Sequence, residues 1–183
     1  MRSWHTAIYT TDDISGPLHA PSNKGGYANA YLTYIIDNYY DLPSTLVFIH
    51  TPASDAEVAS SLSRLNIAYV QSEGYADLRC NPDVVCMPRD TGMPLGGTAA
   101  AGSLLLDYGT WFSLFGPQTK VPKMVAAPCC AEFAVSRDSV VKRPLGDYVR
   151  FHAWLTGTEL RNEVGVKVFE YAWHIIFGKG AVQ

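Results

Sequence analysis

The sequence predicts an α/β protein of one domain, built on a single mixed, partly parallel sheet flanked by helices, with a helical C-terminal third. Three observations predict it. A short, almost wholly apolar run at residues 45–50 reads as a strand covered on both faces. A helical stretch and a second β-rich run at 67–71 follow it, the alternation that builds a parallel pair. Finally, 183 residues suit one core that removes roughly 70% of the unfolded chain's surface from water.

Taken in order, residues 4–11 alternate weakly and are β-rich, which reads as a first strand. Residues 17–26 form a loop ending in Asn23-Lys24-Gly25-Gly26. From 27 to 40, Tyr27, Ala30, Tyr31, Tyr34, Ile35 and Tyr39 recur at helical spacing until Asp41-Leu42-Pro43 stops the pattern. After the strand at 45–50, Ser54-Asp55-Ala56-Glu57 matches a capping box and opens a helix to 65, with the strand at 67–71 beyond it. Residues 74–102 are loop-like, and a long irregular stretch in a compact domain is more often a lid or binding loop than filler. A buried helix is expected over 104–115, and short strands over 121–127 and 131–135 on either side of Pro128-Cys129-Cys130. Helices over 136–143, 147–155 and 162–177 complete the chain, the last ended by Gly178. A parallel pair would put the ligand at strand C-termini.

Composition is 48% hydrophobic, 12% aromatic and 17% charged, which excludes disorder, a coiled coil and collagen. Fourteen Lys+Arg against seventeen Asp+Glu give a formal charge of −3 with no run of like charge, so nucleic acid is not an expected partner. The opening MRSWHTAIYTTDD has no apolar run of signal length, and no stretch approaches the roughly 18 apolar residues of a membrane span. The expectation is a cytoplasmic protein without a membrane partner. Cys80, Cys86, Cys129 and Cys130 show no paired Cys-x-x-Cys spacing, which argues against structural zinc. In a reducing compartment all four are thiols, whereas in an oxidising one Cys80 and Cys86 would close a small loop.

The blocks AAPCCAEFAVSRDSVVKRP, DYVRFHAWL and VFEYAWHIIFG, with NKGGYANAYLTYIIDNYYDLPSTLVFIH and GYADLRC upstream, resemble a largely fungal family, domain of unknown function 3431. The likeness spans roughly residues 5 to 178 and implies no settled activity. Its layout is similar to the Rossmann-like layering of glycosyltransferase-A domains that use nucleotide sugars, an analogy of fold and not of site. Family members typically read N-x-G-R-E-A where this chain has Asn23-Lys24-Gly25-Gly26-Tyr27-Ala28, so an Arg and a Glu are replaced by Gly and Tyr. Where such members continue after the strand with polar and aromatic residues, this chain has Thr51-Pro52-Ala53-Ser54. Enzymes of that layout hold a divalent metal with Asp-x-Asp. Here only the adjacent Asp12-Asp13 is available, and neighbouring carboxylates on a strand point to opposite faces.

Candidate catalytic residues are His50, Lys24 and Glu132. His50 ends the apolar strand, where an imidazole would donate to a carbonyl or act as a base near neutral pH; capping a loop carbonyl is the equal alternative. Lys24 and the backbone N–H groups of Asn23–Gly26 would suit an anion, although a plain loop-to-helix turn is the commoner reading. Glu132, flanked by apolar residues, would if buried act as a general acid or hydrogen-bond donor. The resemblance places Gln often at that position, which points to the hydrogen bond. Arg79 would pair with Glu132 or bind a ligand carboxylate. No His is local to Cys129-Cys130, so inert thiols are the default, with Cys130 as a wall of the site. Asn23, Tyr27, Tyr31 and Trp111 are the remaining substrate-binding candidates, although aromatic residues are core by default. Glu170 and His174 stand four apart on one helix, spacing that would orient an imidazole but more often makes a structural hydrogen bond. No metal site and no cofactor are expected.

Three functions compete. The first is a cofactor-free cyclase of fungal natural-product biosynthesis that folds an apolar terpenoid or polyketide and closes a ring, for example by an intramolecular Diels–Alder reaction. Such a step needs a shaped pocket and one or two hydrogen bonds. The second is a glycosyltransferase-like enzyme, supported by analogy of layout and opposed by the lack of Asp-x-Asp. The third is a non-catalytic small-molecule binding protein. Loss of the family Arg and Glu with the scaffold retained favours the first.

Overall fold

The computed structural model describes residues 4–50, 54–78, 93–94, 108–125 and 131–181. Within them, helix α1 (Gly26–Asp37) leads to strand β1 (Thr45–Phe48), then α2 (Asp55–Arg64), α3 (Ile67–Glu73) and β2 (Tyr75–Asp77). A two-residue β3 (Met93–Pro94), α4 (Tyr108–Phe115) and a two-residue β4 (Met124–Val125) precede β5 (Phe133–Ser136). The chain closes with α5 (Arg137–Val141), α6 (Leu145–Gly157) and α7 (Asn162–Ile176).

The main sheet has three strands in the order β1-β5-β2, and a separate antiparallel pair joins β3 to β4. Both pairings of β5 are antiparallel, with Phe48 and Asp77 each opposite Phe133, and Leu46 and Tyr75 each opposite Val135. The expected parallel pair, and with it Rossmann-like layering, is therefore corrected. The physical reason is visible in the order: β1 and β2 run the same way, as a strand, helix, strand crossover requires, but the crossover leaves a gap and β5 fills it in the opposite sense. The strand buried on both faces is accordingly β5, all four of whose residues are buried, while β1 is an edge strand that alternates.

Two other expected strands do not form as such. Residues 67–71 are helical because Asn66 caps α3, its side chain accepting from the Tyr69 N–H at 3.1 Å, so the cap overrides the β-branched composition. The strand comes after Gly74, in residues that the sequence reads as loop. Within 4–11, only Thr10 makes a β-bridge, to His19, and Ile8 lies exposed.

Helices α1 and α7 cover one face of the sheet through Tyr31, Trp173 and Phe177, whose rings meet Phe133 with centroids 5.9, 5.5 and 5.4 Å away. On the other face α3 is tied by Gln71, whose Nε2 donates to Thr45 Oγ1 at 2.7 Å. The buried stripes are Ala28, Tyr31, Leu32 and Ile35 on α1 and Val168, Phe169, Ala172, Trp173 and Ile176 on α7; of the periodic positions expected over 27–40, Ala30, Tyr31 and Ile35 are buried while Tyr27, Tyr34 and Tyr39 are partly exposed. The capping box is present: Ser54 Oγ accepts from the Glu57 N–H, and Glu57 Oε2 accepts from the Ser54 N–H.

Candidate functional site

The antiparallel insertion has a consequence for function. The last residues of β1 and β2 and the first of β5 share one register position, so three segments leave the sheet at the same end: Ile49–His50, Leu78 onward, and the approach through Ala131 and Glu132. The Leu78 N–H donates to the Glu132 carbonyl at 2.9 Å and carries the pairing one residue further. Ala131 sits at φ 46, the left-handed region that side chains avoid. Strain of this kind costs on the order of 1 kcal/mol and collects where a chain must aim a residue. The next residue, Glu132, is only 5% exposed.

Against this end stands the start of α1. The Tyr27 ring stacks on His50, centroids 4.1 Å apart and planes within 7°. Its hydroxyl donates to Glu170 Oε1 of α7 at 3.1 Å, and Glu170 also pairs with Lys167. Tyr31, one turn on, touches Tyr27, Phe48 and Trp173 with centroids 5.5, 4.8 and 5.9 Å away. Burial, and then the neighbouring Glu170 carboxylate, raise the Tyr27 phenol well above its ordinary range. Burial and then Glu132 do the same to Tyr31. Both phenols therefore remain protonated donors at neutral pH, unsuited to acting as bases. Asp77, on the register position of Phe133, accepts from Tyr75 Oη at 2.9 Å. Burial pushes its carboxyl up to about 6, against the lowering effect of that hydrogen bond.

The structure thus brings together His50, Glu132, Tyr27 and Tyr31 of the sequence-predicted set. Lys24 and Asn23 have structural partners instead. Lys24 Nζ donates to the Leu160 carbonyl at 2.6 Å, and the Asn23 carbonyl accepts from Asn162 Nδ2 at 3.0 Å. Asn162 Oδ1 also takes the Gly25 N–H, so the loop expected to cradle an anion is laced to the start of α7. Trp111 packs on Phe115 in α4 with centroids 4.4 Å apart, and the ring contacts lead from Phe115 to Phe151 and Phe169 before reaching Trp173. That makes it a core residue joined to α6. Arg79, Cys130 and the other three cysteines lie outside the described residues, as does most of the expected 74–102 loop.

No group of three or more His, Cys, Asp or Glu among the described residues is arranged to hold a metal ion. Asp13 serves an exposed turn, accepting from the Ser15 N–H and hydroxyl at 2.8 and 2.5 Å. Glu170 and His174 use different partners, since His174 Nε2 lies 3.3 Å from the Ala181 carbonyl. Of two shallow clefts, one of about 190 Å³ lies at Arg143 and Phe177, away from this end, and one of about 220 Å³ runs from Arg64 and Tyr69 to Asp77 and Leu78 where β2 stops.

The family model described as a protein of unknown function, DUF3431, matches residues 1–183, the whole chain. The chain belongs to this family. No curated protein and no solved structure matches it. In this DUF3431 chain, the sequence offers Glu170 only as a partner of His174, and gives no sign of Asp77 or Trp173 as neighbours of the site. Their signal was a helical or strand position like any other, because the contacts that matter join α1 to α7 across some 140 residues of sequence.

Proposed function

We propose that this DUF3431 protein is a cofactor-independent cyclase of natural-product biosynthesis. It receives a mostly apolar terpenoid or polyketide chain and closes a ring by holding it folded, with an intramolecular Diels–Alder reaction as the representative chemistry. The observation that carries the reading is the largely buried aromatic wall of Tyr27, Tyr31, Phe48 and Trp173 at the sheet end where three segments depart, with His50 stacked on Tyr27 and the buried Glu132 acting on Tyr31. A wall of this composition binds apolar surface, and a few fixed polar groups orient it. Pericyclic ring closure moves no proton to the protein and needs no nucleophile. Its barrier falls when reacting ends are held at attack distance, an effect worth up to roughly 7–11 kcal/mol.

Each residue has a task under this reading. Tyr27, braced by the stacked His50 and by Glu170, presents a flat face to the substrate, and Glu132 offers a buried hydrogen-bonding group. The test is direct. A linear triene bearing a carbonyl-activated dienophile is incubated with the purified protein, and product is resolved by chiral chromatography. Cyclised product with enantiomeric excess, formed above the buffer rate and undiminished by EDTA, is expected, with the excess lost in Tyr27→Ala. Racemic product at the buffer rate from a series of such trienes overturns the cyclase reading. Dependence on added manganese and a nucleotide sugar would put a glycosyltransferase in its place.

A further inference from the structure

Buried polar groups in folded proteins are nearly always paired, so an exception calls for an explanation. Among the described residues, the Tyr31 hydroxyl and the Trp173 indole N–H are both buried without a hydrogen-bond partner. They belong to adjoining rings with centroids 5.9 Å apart, and both rings rest on Phe133. Tyr31 is 6% exposed and Trp173 1%. An indole N–H can only donate, and the Tyr31 phenol stays protonated, so what completes both groups is an acceptor. Both donors are uncharged, and a neutral carbonyl oxygen satisfies them without burying an unpaired charge.

Other orphaned groups do not compete. Glu170 Oε2, which takes no hydrogen bond, is ion-paired with Lys167. The Trp111 N–H also lacks a partner, but Phe115, Phe151 and Phe169 intervene between it and this cluster. His174 Nδ1 is the acceptor nitrogen left over when Nε2–H donates to Ala181.

We propose that Tyr31 Oη–H and Trp173 Nε1–H are the donors that receive a neutral carbonyl oxygen of the substrate. This rests on the cyclase reading and deepens it. The ligand is an apolar chain bearing a ketone, ester or aldehyde, and neither a pure hydrocarbon nor a carboxylic acid. Two preorganised donors in a water-poor site also polarise the carbonyl, withdrawing electron density from a conjugated double bond and so activating it for ring closure.

The experiment uses the full chain and three probes of one shape: 2-acetylnaphthalene, 2-isopropylnaphthalene and 2-naphthoate. Calorimetric titration gives their affinities, and infrared difference spectra of the carbonyl-labelled ketone give its stretch. The ketone should bind about tenfold more tightly than the hydrocarbon, the value of one good net hydrogen bond, with its stretch moved to lower frequency. Tyr31→Phe should erase most of both effects while leaving hydrocarbon affinity and melting temperature at or above wild type, since it removes a donor without a protein partner. Trp173→Phe should reduce the same preference. Equal affinity for ketone and hydrocarbon, an unshifted stretch, or a preference that survives Tyr31→Phe overturns the donor assignment while leaving the aromatic site standing. Tightest binding of the naphthoate overturns the neutral carbonyl. Binding of none of the three overturns this assignment and removes the site on which the cyclase reading depends.

Discussion

Asn29 shows how single side chains set this fold. Fully buried in α1, it donates through Nδ2 to the Ser22 and Lys24 carbonyls at 3.0 and 2.8 Å. Its Oδ1 accepts from Thr33 Oγ1 at 3.2 Å and lies 2.8 Å from His152 Nε2. With every lone pair and N–H used, the network rigidifies the loop that delivers Tyr27 to His50. Asn29→Ala should therefore lose about 3 kcal/mol in urea unfolding, since it leaves several buried partners unsatisfied at once. Lys24 sits at the other side of the same loop, and its partner is a carbonyl on the surface. Lys24→Ala should cost only about 1 kcal/mol and leave ketone affinity unchanged. A selective loss of ketone binding with stability intact would instead make Lys24 part of the binding site.

At the scale of elements, a sharp constraint is the approach of α1 to α6. Gly25 caps α1 at φ 87, and a Cβ built there would lie 2.5 Å from Leu155 Cγ. Gly25→Ala is thus strained twice and should destabilise by more than about 2 kcal/mol. Combined with Leu155→Ala, which opens space, the pair should lose less than the sum of its members, because they share one contact. The elements also show what the sequence made legible. Helix α1 follows from 3.6-residue periodicity, α2 from Ser54 and Glu57, and the end of α7 from Gly178, since each signal is local; α6 and α7 fall where helices are expected over 147–155 and 162–177. Strand pairing is not local: a strand, helix, strand pattern is the same whether β1 and β2 touch or admit β5 between them. At 67–71 two local signals conflicted, Ile67, Tyr69 and Val70 arguing for a strand and Asn66 for a helix cap, and the cap prevailed. Three segments converge at one end of the sheet because β5 starts where β1 and β2 finish, whereas the expected parallel pair of 45–50 and 67–71 would have put the ligand at its own C-terminal ends.

For the molecule as a whole, two desolvated groups, the fully buried His174 and the partly buried Asp77, pull stability in opposite directions with pH. His174 is fully buried on α7, and desolvation lowers it to about 4 in spite of its backbone hydrogen bonds. Between there and its ordinary 6.5 the unfolded chain takes up a proton that the folded one refuses, so this contribution is present above pH 6.5 and lost as pH falls toward 4. Asp77 behaves conversely. Raised from 3.8 to about 6, it holds a proton in the folded state that the unfolded chain has released, so its contribution is present below pH 3.8 and lost as pH rises through 6. Each shift corresponds to roughly 3 kcal/mol, and over pH 4 to 6 the two slopes nearly cancel. The half-buried His152, lowered by desolvation, adds to the His174 side. Asp77→Asn keeps an acceptor for Tyr75 while removing the acid, and should unmask the histidines: the variant is more stable than wild type at pH 7, converges with it near pH 4, and loses stability steeply in between. Urea midpoints measured at unit steps of pH decide the matter. Parallel curves for variant and wild type would mean that Asp77 titrates as an ordinary carboxylate, and that the end of the sheet where β2 stops is open to water in the absence of a ligand.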